Sequence, residues 1–221
     1  DLFSQTISTA PLAASGVALL DSVSTPIDAS LDRSSRNLDW LAKLAYDIGD
    51  NSMAYASAST GTKSGNFNGV TGAPQEREFD DEETLSYELG LKSTLLDSTV
   101  RLNAAAFYTE ITDFQFQQQL EAGIGTFVSN AGEVETSGID LQLEAIPLPN
   151  LTLSAGLLYM HKYDIVDGPN DGDELPFTAD YSGHLAATLV FPLADGGIYW
   201  RPDYSYMADH STNVAASEDL V

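Results

Sequence analysis

The sequence predicts an all-β protein: an antiparallel up-and-down transmembrane β-barrel, present in part as about eight strands of a larger barrel. Three observations predict it. Several segments alternate apolar and polar residues. The tyrosines at their ends fall mostly on the apolar face, at one end. The connections alternate between short and long. Period-two alternation means a strand with one face out of water. An apolar band capped by aromatic rings at one height is how a lipid-facing barrel wall looks.

Composition narrows the choice further. The chain has 221 residues, enough for one all-β domain, and no cysteine, which removes disulfide frameworks and thiolate metal sites. With 33 acidic and 9 basic residues its net charge is -24, so nucleic acid is not an expected partner. Mean hydropathy is -0.11, and no apolar run reaches the roughly 18 residues of a membrane helix. A barrel strand needs only every second residue apolar, so a membrane location remains compatible.

Residues 1–36, rich in Ser, Ala, Thr and Asp, are expected to form an extracellular loop. Residues 37–206 are expected to form a wall of four hairpins, and residues 207–221 to begin a further extracellular loop. The first strand runs from about Leu38 to Tyr46 and turns at Asp47–Asn51, where Gly and Asn tolerate positive φ. The second, about Met53 to Thr62, is built of Ala, Ser and Thr. Ala54, Ala56, Ala58 and Thr60 are placed outward, because the other parity would put Lys63 in register with the lipid face. In the third strand Tyr87, Leu89, Leu91 and Leu95 oppose Glu88, Gly90, Lys92 and Thr94. In the fourth Val100, Leu102, Ala104, Ala106 and Tyr108 point outward. The fifth carries Ile139, Leu141, Leu143 and Ala145. Pro147–Asn150 turns the chain into the sixth, Leu151 to Tyr159. The seventh spans Tyr181 to Phe191 and the eighth Ile198 to Tyr206. Pro202 lacks a ladder donor, so it predicts a weak middle or a bulge there.

Short connections fall at 47–51, 96–98, 147–150 and 192–197, and long ones at 63–84, 111–135 and 163–180. Short turns at one end and long loops at the other match short periplasmic turns and long extracellular loops. Tyr87, Tyr108, Tyr159, Tyr181, Tyr204 and Tyr206 lie at the long-loop end, and Tyr46 at the other. A soluble β-sandwich also alternates, but its aromatics would scatter through a core. With no initiator Met, and ending in Ser217-Glu-Asp-Leu-Val221, the chain is expected to be an internal piece of a longer barrel.

Four stretches, in order over about residues 37–206, resemble the barrel of TonB-dependent outer-membrane receptors. They are Tyr55-Ala-Ser-Ala-Ser-Thr-Gly-Thr-Lys63-Ser-Gly-Asn-Phe67-Asn68; Glu83 through Tyr87-Glu-Leu-Gly-Leu-Lys-Ser93; Leu102-Asn-Ala-Ala-Ala-Phe-Tyr108 followed by Asp113-Phe-Gln115; and Asn130-Ala-Gly132 followed by Ser137-Gly-Ile-Asp140. Thr62 and Asn66 depart from the family's aromatic and glycine. The resemblance implies the C-terminal part of a barrel of about 22 strands in the outer membrane of a Gram-negative bacterium. It also implies a plug domain and TonB box, not contained in these residues, that couple the receptor to the TonB–ExbB–ExbD complex. Lipopolysaccharide and other outer-membrane lipid would surround it. The activity implied is uptake of a scarce, bulky nutrient, by family frequency a ferric siderophore; haem, cobalamin and oligosaccharides remain open. A passive porin-like or structural barrel and a soluble β adhesin are the alternatives.

No catalytic constellation is visible, no cofactor is expected, and the chain is not read as an enzyme. His161, His184 and His210 match no metal spacing. Asp164, Asp167, Asp171, Asp173 and Glu174, and the run Asp80–Glu83, are read first as solvated acidic loops. The candidate ligand-binding residues are Phe67, Asn68, Phe114, Gln115, Phe116 and Gln117, because aromatics and amides on long loops suit a bulky polar ligand. Packing of loop against loop is the competing use of the same six residues.

Overall fold

The computed structural model describes residues 32–69, 78–119, 126–130, 132–168 and 171–211. The expected loops over 1–36 and 207–221 therefore lie outside the described residues, except for 32–36 and 207–211. The strands in chain order are β1 (Leu41–Asp47), β2 (Ser52–Lys63), β3 (Asn66–Phe67), β4 (Glu78–Phe79), β5 (Glu82–Leu95), β6 (Val100–Thr112), β7 (Gln115–Gln119), β8 (Thr126–Asn130), β9 (Val134–Leu148), β10 (Leu151–Ile165), β11 (Tyr181–Leu193), β12 (Gly196–Trp200) and β13 (Asp203–Met207). The main sheet runs β1-β2-β5-β6-β9-β10-β11-β12, with β13 also on β11, and every pairing is antiparallel. This is the wall of a partial up-and-down barrel.

The register keeps like faces together from strand to strand. Leu44, Ala56, Leu89, Ala106, Ile139, Tyr159 and Tyr181 form one cross-strand row. Tyr46, Ala54, Leu91, Ala104, Leu141, Leu157, Gly183 and Tyr206 form another. Ala54, Ala56 and Ala58 stand opposite Leu91, Leu89 and Tyr87, so the weakly patterned β2 has the expected parity. The outer face leaves Leu44, Leu89, Leu185 and Trp200 exposed. Toward the short-turn end of this face the polar pair Ser52 and Ser93 joins hydroxyl to hydroxyl at 2.7 Å.

Several strand boundaries differ from expectation: β5 starts at Glu82, β6 runs to Thr112 and β9 starts at Val134, inside the expected loops, and β11 and β12 take up most of the expected turn at 192–197. β1 begins at Leu41 rather than Leu38, although pairing persists one residue further, where Thr60 N–H donates to the Trp40 carbonyl at 3.0 Å. β9 continues through Pro147 to Leu148. β10 continues six residues past Tyr159, to Ile165. Above Tyr159 a register shift between Met160 and Lys162 puts the apolar residues of β10, Tyr163 and Ile165, on the inner face, so the alternation changes phase while the ladder continues. Pro202 separates β12 from β13 without a bulge. Leu189↔Trp200 and Ala186↔Asp203 are three residues apart on both strands, so nothing is inserted. Every second facing pair in such a ladder exchanges two bonds; at this one only the Pro202 carbonyl can take part, accepting from Ala187 N–H at 3.1 Å.

The outward aromatics descend as a staircase. Trp40 lies one two-residue step above the row of Tyr87 and Tyr108. Tyr159 and Tyr181 lie one step below that row, and Tyr206 two steps below. Six residues of descent is about 20 Å across seven strand intervals of about 4.8 Å. That slope is level for strands tilted by about 30°, close to the tilt of outer-membrane barrels. Tyr181 and Tyr206 stack with centroids 5.8 Å apart.

On the inner face three rings lie over glycines directly across the ladder: Tyr55 over Gly90, Phe107 over Gly138 and His184 over Gly156. A Cβ at Gly138 would stand 2.4 Å from the Tyr159 carbonyl oxygen and 2.8 Å from Phe107 Cζ, whereas one at Gly61 would meet nothing within 4 Å. A backbone carbonyl cannot swing away, so Gly138→Ala is expected to cost about 1–3 kcal/mol. Gly61→Ala is expected to be neutral or slightly stabilising. Urea unfolding of the two variants in the full-length protein, read by the mobility of the folded barrel on gels, checks the contrast.

Candidate functional site

The long-loop end carries two small ribbons outside the wall, β3–β4 and β7–β8. Each is a hairpin inserted where the main ladder ends, and polar residues hold both in place. Four of the six candidate residues lie on them, with Asn68 just after β3 and Phe114 just before β7, and the structure brings them together unequally. The Asn68 amide pairs in both directions with the Val128 backbone, donating to its carbonyl at 2.7 Å and accepting from its N–H at 2.8 Å. Gln115 is buried. Its Nε2 donates to the carbonyls of Lys63, Ser64 and Asp80 at 3.1, 3.2 and 3.0 Å, and its own N–H donates to Glu82 Oε2 at 2.8 Å. Both amides are thus engaged loop to loop.

The other four are more open. Phe67 is half-buried and its N–H is capped by Asn66 Oδ1 at 2.9 Å. Phe114 and Phe116 form a tilted ring pair at 6.3 Å. Gln117 is exposed and donates to the Thr126 hydroxyl at 2.7 Å. The backbone here is tightly turned: Asp113 has φ +53° and Gly132 φ +99°. Gly132 is a close approach as well, since a Cβ would sit 2.0 Å from the Asp167 carbonyl oxygen.

Residues that sequence reasoning passed over supply much of the frame. Asn130 accepts from Asp80 N–H at 2.7 Å and donates to the carbonyls of Asp80 and Asp113 at 3.1 and 2.7 Å. Arg33 donates to Glu78, Asp80 and Asp81 at 2.7, 3.1 and 3.0 Å. The run Asp80–Glu83 is therefore partly neutralised by a residue from the segment expected to be a separate loop. A basic residue in so acidic a chain was the available signal. Among the described residues no group of three or more His, Cys, Asp or Glu side chains converges as metal ligands would.

The third long loop folds back on the extended β10. Asp164 bridges Glu174, Leu175 N–H donates to the Tyr163 carbonyl at 2.8 Å, and Tyr163 Oη donates to Asp180 at 2.9 Å. It joins the second loop through Val166 N–H to the Glu133 carbonyl at 2.9 Å. Val134 and Ile165, fully buried and facing each other across the ladder, form a small core beneath that junction. On the inner wall below, Tyr55 is buried between Lys43 and Lys92, whose ammonium groups lie 4.4 and 5.6 Å from its ring centroid.

Residues 14–218 match the family described as TonB dependent receptor-like, beta-barrel. The chain is similar in structure to the ferric yersiniabactin uptake receptor FyuA from Yersinia pestis. That match has a TM-score of 0.66 and 22% identity, and covers 78% of this chain and 26% of the receptor. It is similar also to BauA, the ferric preacinetobactin receptor from Acinetobacter baumannii, with a TM-score of 0.62 and 18% identity, covering 82% and 27%. A third, the copper transporter OprC, aligns with a TM-score of 0.54 and 16% identity, covering 73% and 26%. The chain thus spans about a quarter of the length of each.

The Asp81 carboxylate accepts from Ser35 and Asn37, from Gly65 N–H at 2.7 Å and from Arg33. These donors, Ser35 and Asn37 foremost, hold its pKa well below the usual carboxylate value of 3.8. A depressed carboxylate contributes its full stabilisation above its unfolded pKa and loses it progressively as pH falls from there through the folded value. Protection of the Gly65 amide, corrected for intrinsic exchange, is therefore expected to stay flat from pH 8 to about pH 4. In Asp81→Asn it should fall at every pH. Hydrogen exchange on the full-length protein measures both.

Proposed function

The chain belongs to the TonB dependent receptor-like β-barrel family, and from that premise we propose that it forms wall and rim of an outer-membrane receptor that imports a ferric siderophore. The observation that carries the reading is the family match over residues 14–218, on a wall whose outer face is apolar and tyrosine-capped as lipid contact requires. The receptor would lie in the outer membrane of a Gram-negative bacterium with its apolar face against lipid and lipopolysaccharide. Residues 1–36 and 207–221 would be extracellular loops flanking the wall, 37–206. Import would be driven by the TonB–ExbB–ExbD complex through a plug and TonB box outside this chain.

The chemistry asked of these residues is binding and release rather than bond-making. Phe67, Phe114, Phe116 and Gln117 would meet the ligand, rings against its apolar or planar parts and the amide against its oxygens. Asn68 and Gln115 would hold those residues in place, since their amides are engaged with backbone groups of the neighbouring loop. Two of the compared structures are named as ferric-siderophore receptors and one as a copper transporter. The fold therefore serves more than one cargo, and the assignment of iron is the part that needs direct measurement.

The test is uptake. A strain with this full-length receptor as its only siderophore receptor is offered a panel of siderophores loaded with radiolabelled iron. At least one should be accumulated, and accumulation should cease when TonB is deleted. Accumulation that persists without TonB, or none across the panel, contradicts the proposal.

A further inference from the structure

The loop at residues 64–81 and the loop at residues 113–133 each carry a ribbon too short to stand alone. β3–β4 has two facing pairs and β7–β8 has five. Isolated two-stranded hairpins are marginal in water even when longer. What holds each ribbon is the other loop. Asn68 pairs with both backbone groups of Val128, taking the place of a strand partner. Asn130 does the same for Asp80 and also reaches the Asp113 carbonyl. Gln115 gathers the carbonyls of Lys63, Ser64 and Asp80. Glu82 accepts from Gln115 N–H and pairs with Lys63. Arg33, Ser35 and Asn37 fasten the segment before β1 to Glu78, Asp80 and Asp81.

We propose that the described parts of these two loops, residues 64–69 and 78–81 on one and 113–119, 126–130 and 132–133 on the other, order and open with the segment 32–37 as one cooperative unit rather than as two independent loops. The bonds cross between loops at three separate places, so releasing one loop strands buried donors and acceptors on the other. The faces presented by Phe67 on one loop and by Phe114, Phe116 and Gln117 on the other are then one surface of fixed shape. Any ligand-driven motion of the rim moves them together. The wall beneath is held by the long ladders of β2, β5, β6 and β9, so the boundary between stable wall and cooperative rim falls near Lys63, Glu82, Thr112 and Val134.

Hydrogen exchange on the ligand-free full-length receptor in detergent tests this without reference to cargo. Asn68→Ala removes the bonds to the Val128 backbone. In a cooperative unit it should also speed exchange by about tenfold at the amides of Asp80 and Gln115, which are bonded to Asn130 and Glu82. Amides in the middle of β5 and β6 should be unchanged. The reciprocal variant Gln115→Ala should speed exchange by a similar factor at Gly65 on the first loop, whose N–H is bonded to Asp81, and it decides the matter if Asn68→Ala fails to assemble. Acceleration confined to Val128 in the first variant, or no change at Gly65 in the second, would show two independent loops and overturn the proposal.

Discussion

Everything in this structure depends on the antiparallel ladder keeping the faces of successive strands in phase. Side chains alternate with period two, so a slip of one residue between any two strands would turn a whole row of leucines and tyrosines from the outer face to the inner one. No such slip occurs between Leu44 on β1 and Tyr206 on β13 in the body of the wall. Even Pro202, which removes a donor, leaves the register intact. The register of β9 with β10 shifts at the ends of the ladder, at the short turn between Leu151 and Leu153 and near the rim between Met160 and Lys162. Beyond the second shift Tyr163 and Ile165 face inward, where they are buried, and Lys162 and Asp164 face outward above the tyrosines. That irregularity sits where the apolar band ends and the rim begins.

The two faces solve different problems. The outer one must present no unpaired polar group, and it does so with aliphatic and aromatic side chains and a serine pair that bond each other. The inner one carries charge and large rings, and opposes rings to glycines so that they lie flat against the wall. The rim has little apolar area to bury. It relies instead on amide-to-backbone bonds and on the carboxylate cluster around Arg33. A chain of net charge -24 can gather acidic residues there because backbone N–H groups, hydroxyls and one guanidinium converge on them.

The wall was legible because its signal is local. Tyr87–Leu95 and Val100–Tyr108 each state their faces within nine residues. The Ala-rich β2 was read by avoiding a lipid-facing Lys63, and its ladder to β5 has that parity. The length of β10 was not legible, because the register shift between Met160 and Lys162 reverses the phase: beyond it the apolar Tyr163 and Ile165 fall on the inner face and the charged Lys162 and Asp164 on the outer one. The staircase of aromatics was hidden for another reason: tilt is a property of many strands together. The rim was the least readable. Asn68 and Val128 are 60 residues apart, and Arg33 and Asp81 are 48 apart. Nothing in a single sequence ties an amide on one loop to a backbone group on the next. The six candidate positions were found as loop aromatics and amides, but the difference between Gln115, which is buried in a frame, and Gln117, which is exposed, exists only in three dimensions.

The most direct measurement of the central claim is a spin-label scan along Tyr87–Leu95 and Val100–Tyr108, one position at a time, in the full-length protein in lipid vesicles. If the ladder sets an outer face against lipid, accessibility to oxygen peaks at 87, 89, 91, 93 and 95 and at 100, 102, 104, 106 and 108. Accessibility to a water-soluble relaxant should peak at the positions between, with the two patterns out of phase over both strands. Equal accessibility at neighbouring positions, or water-soluble relaxant reaching Leu91 and Ala104 as readily as Lys92 and Asn103, would contradict the account.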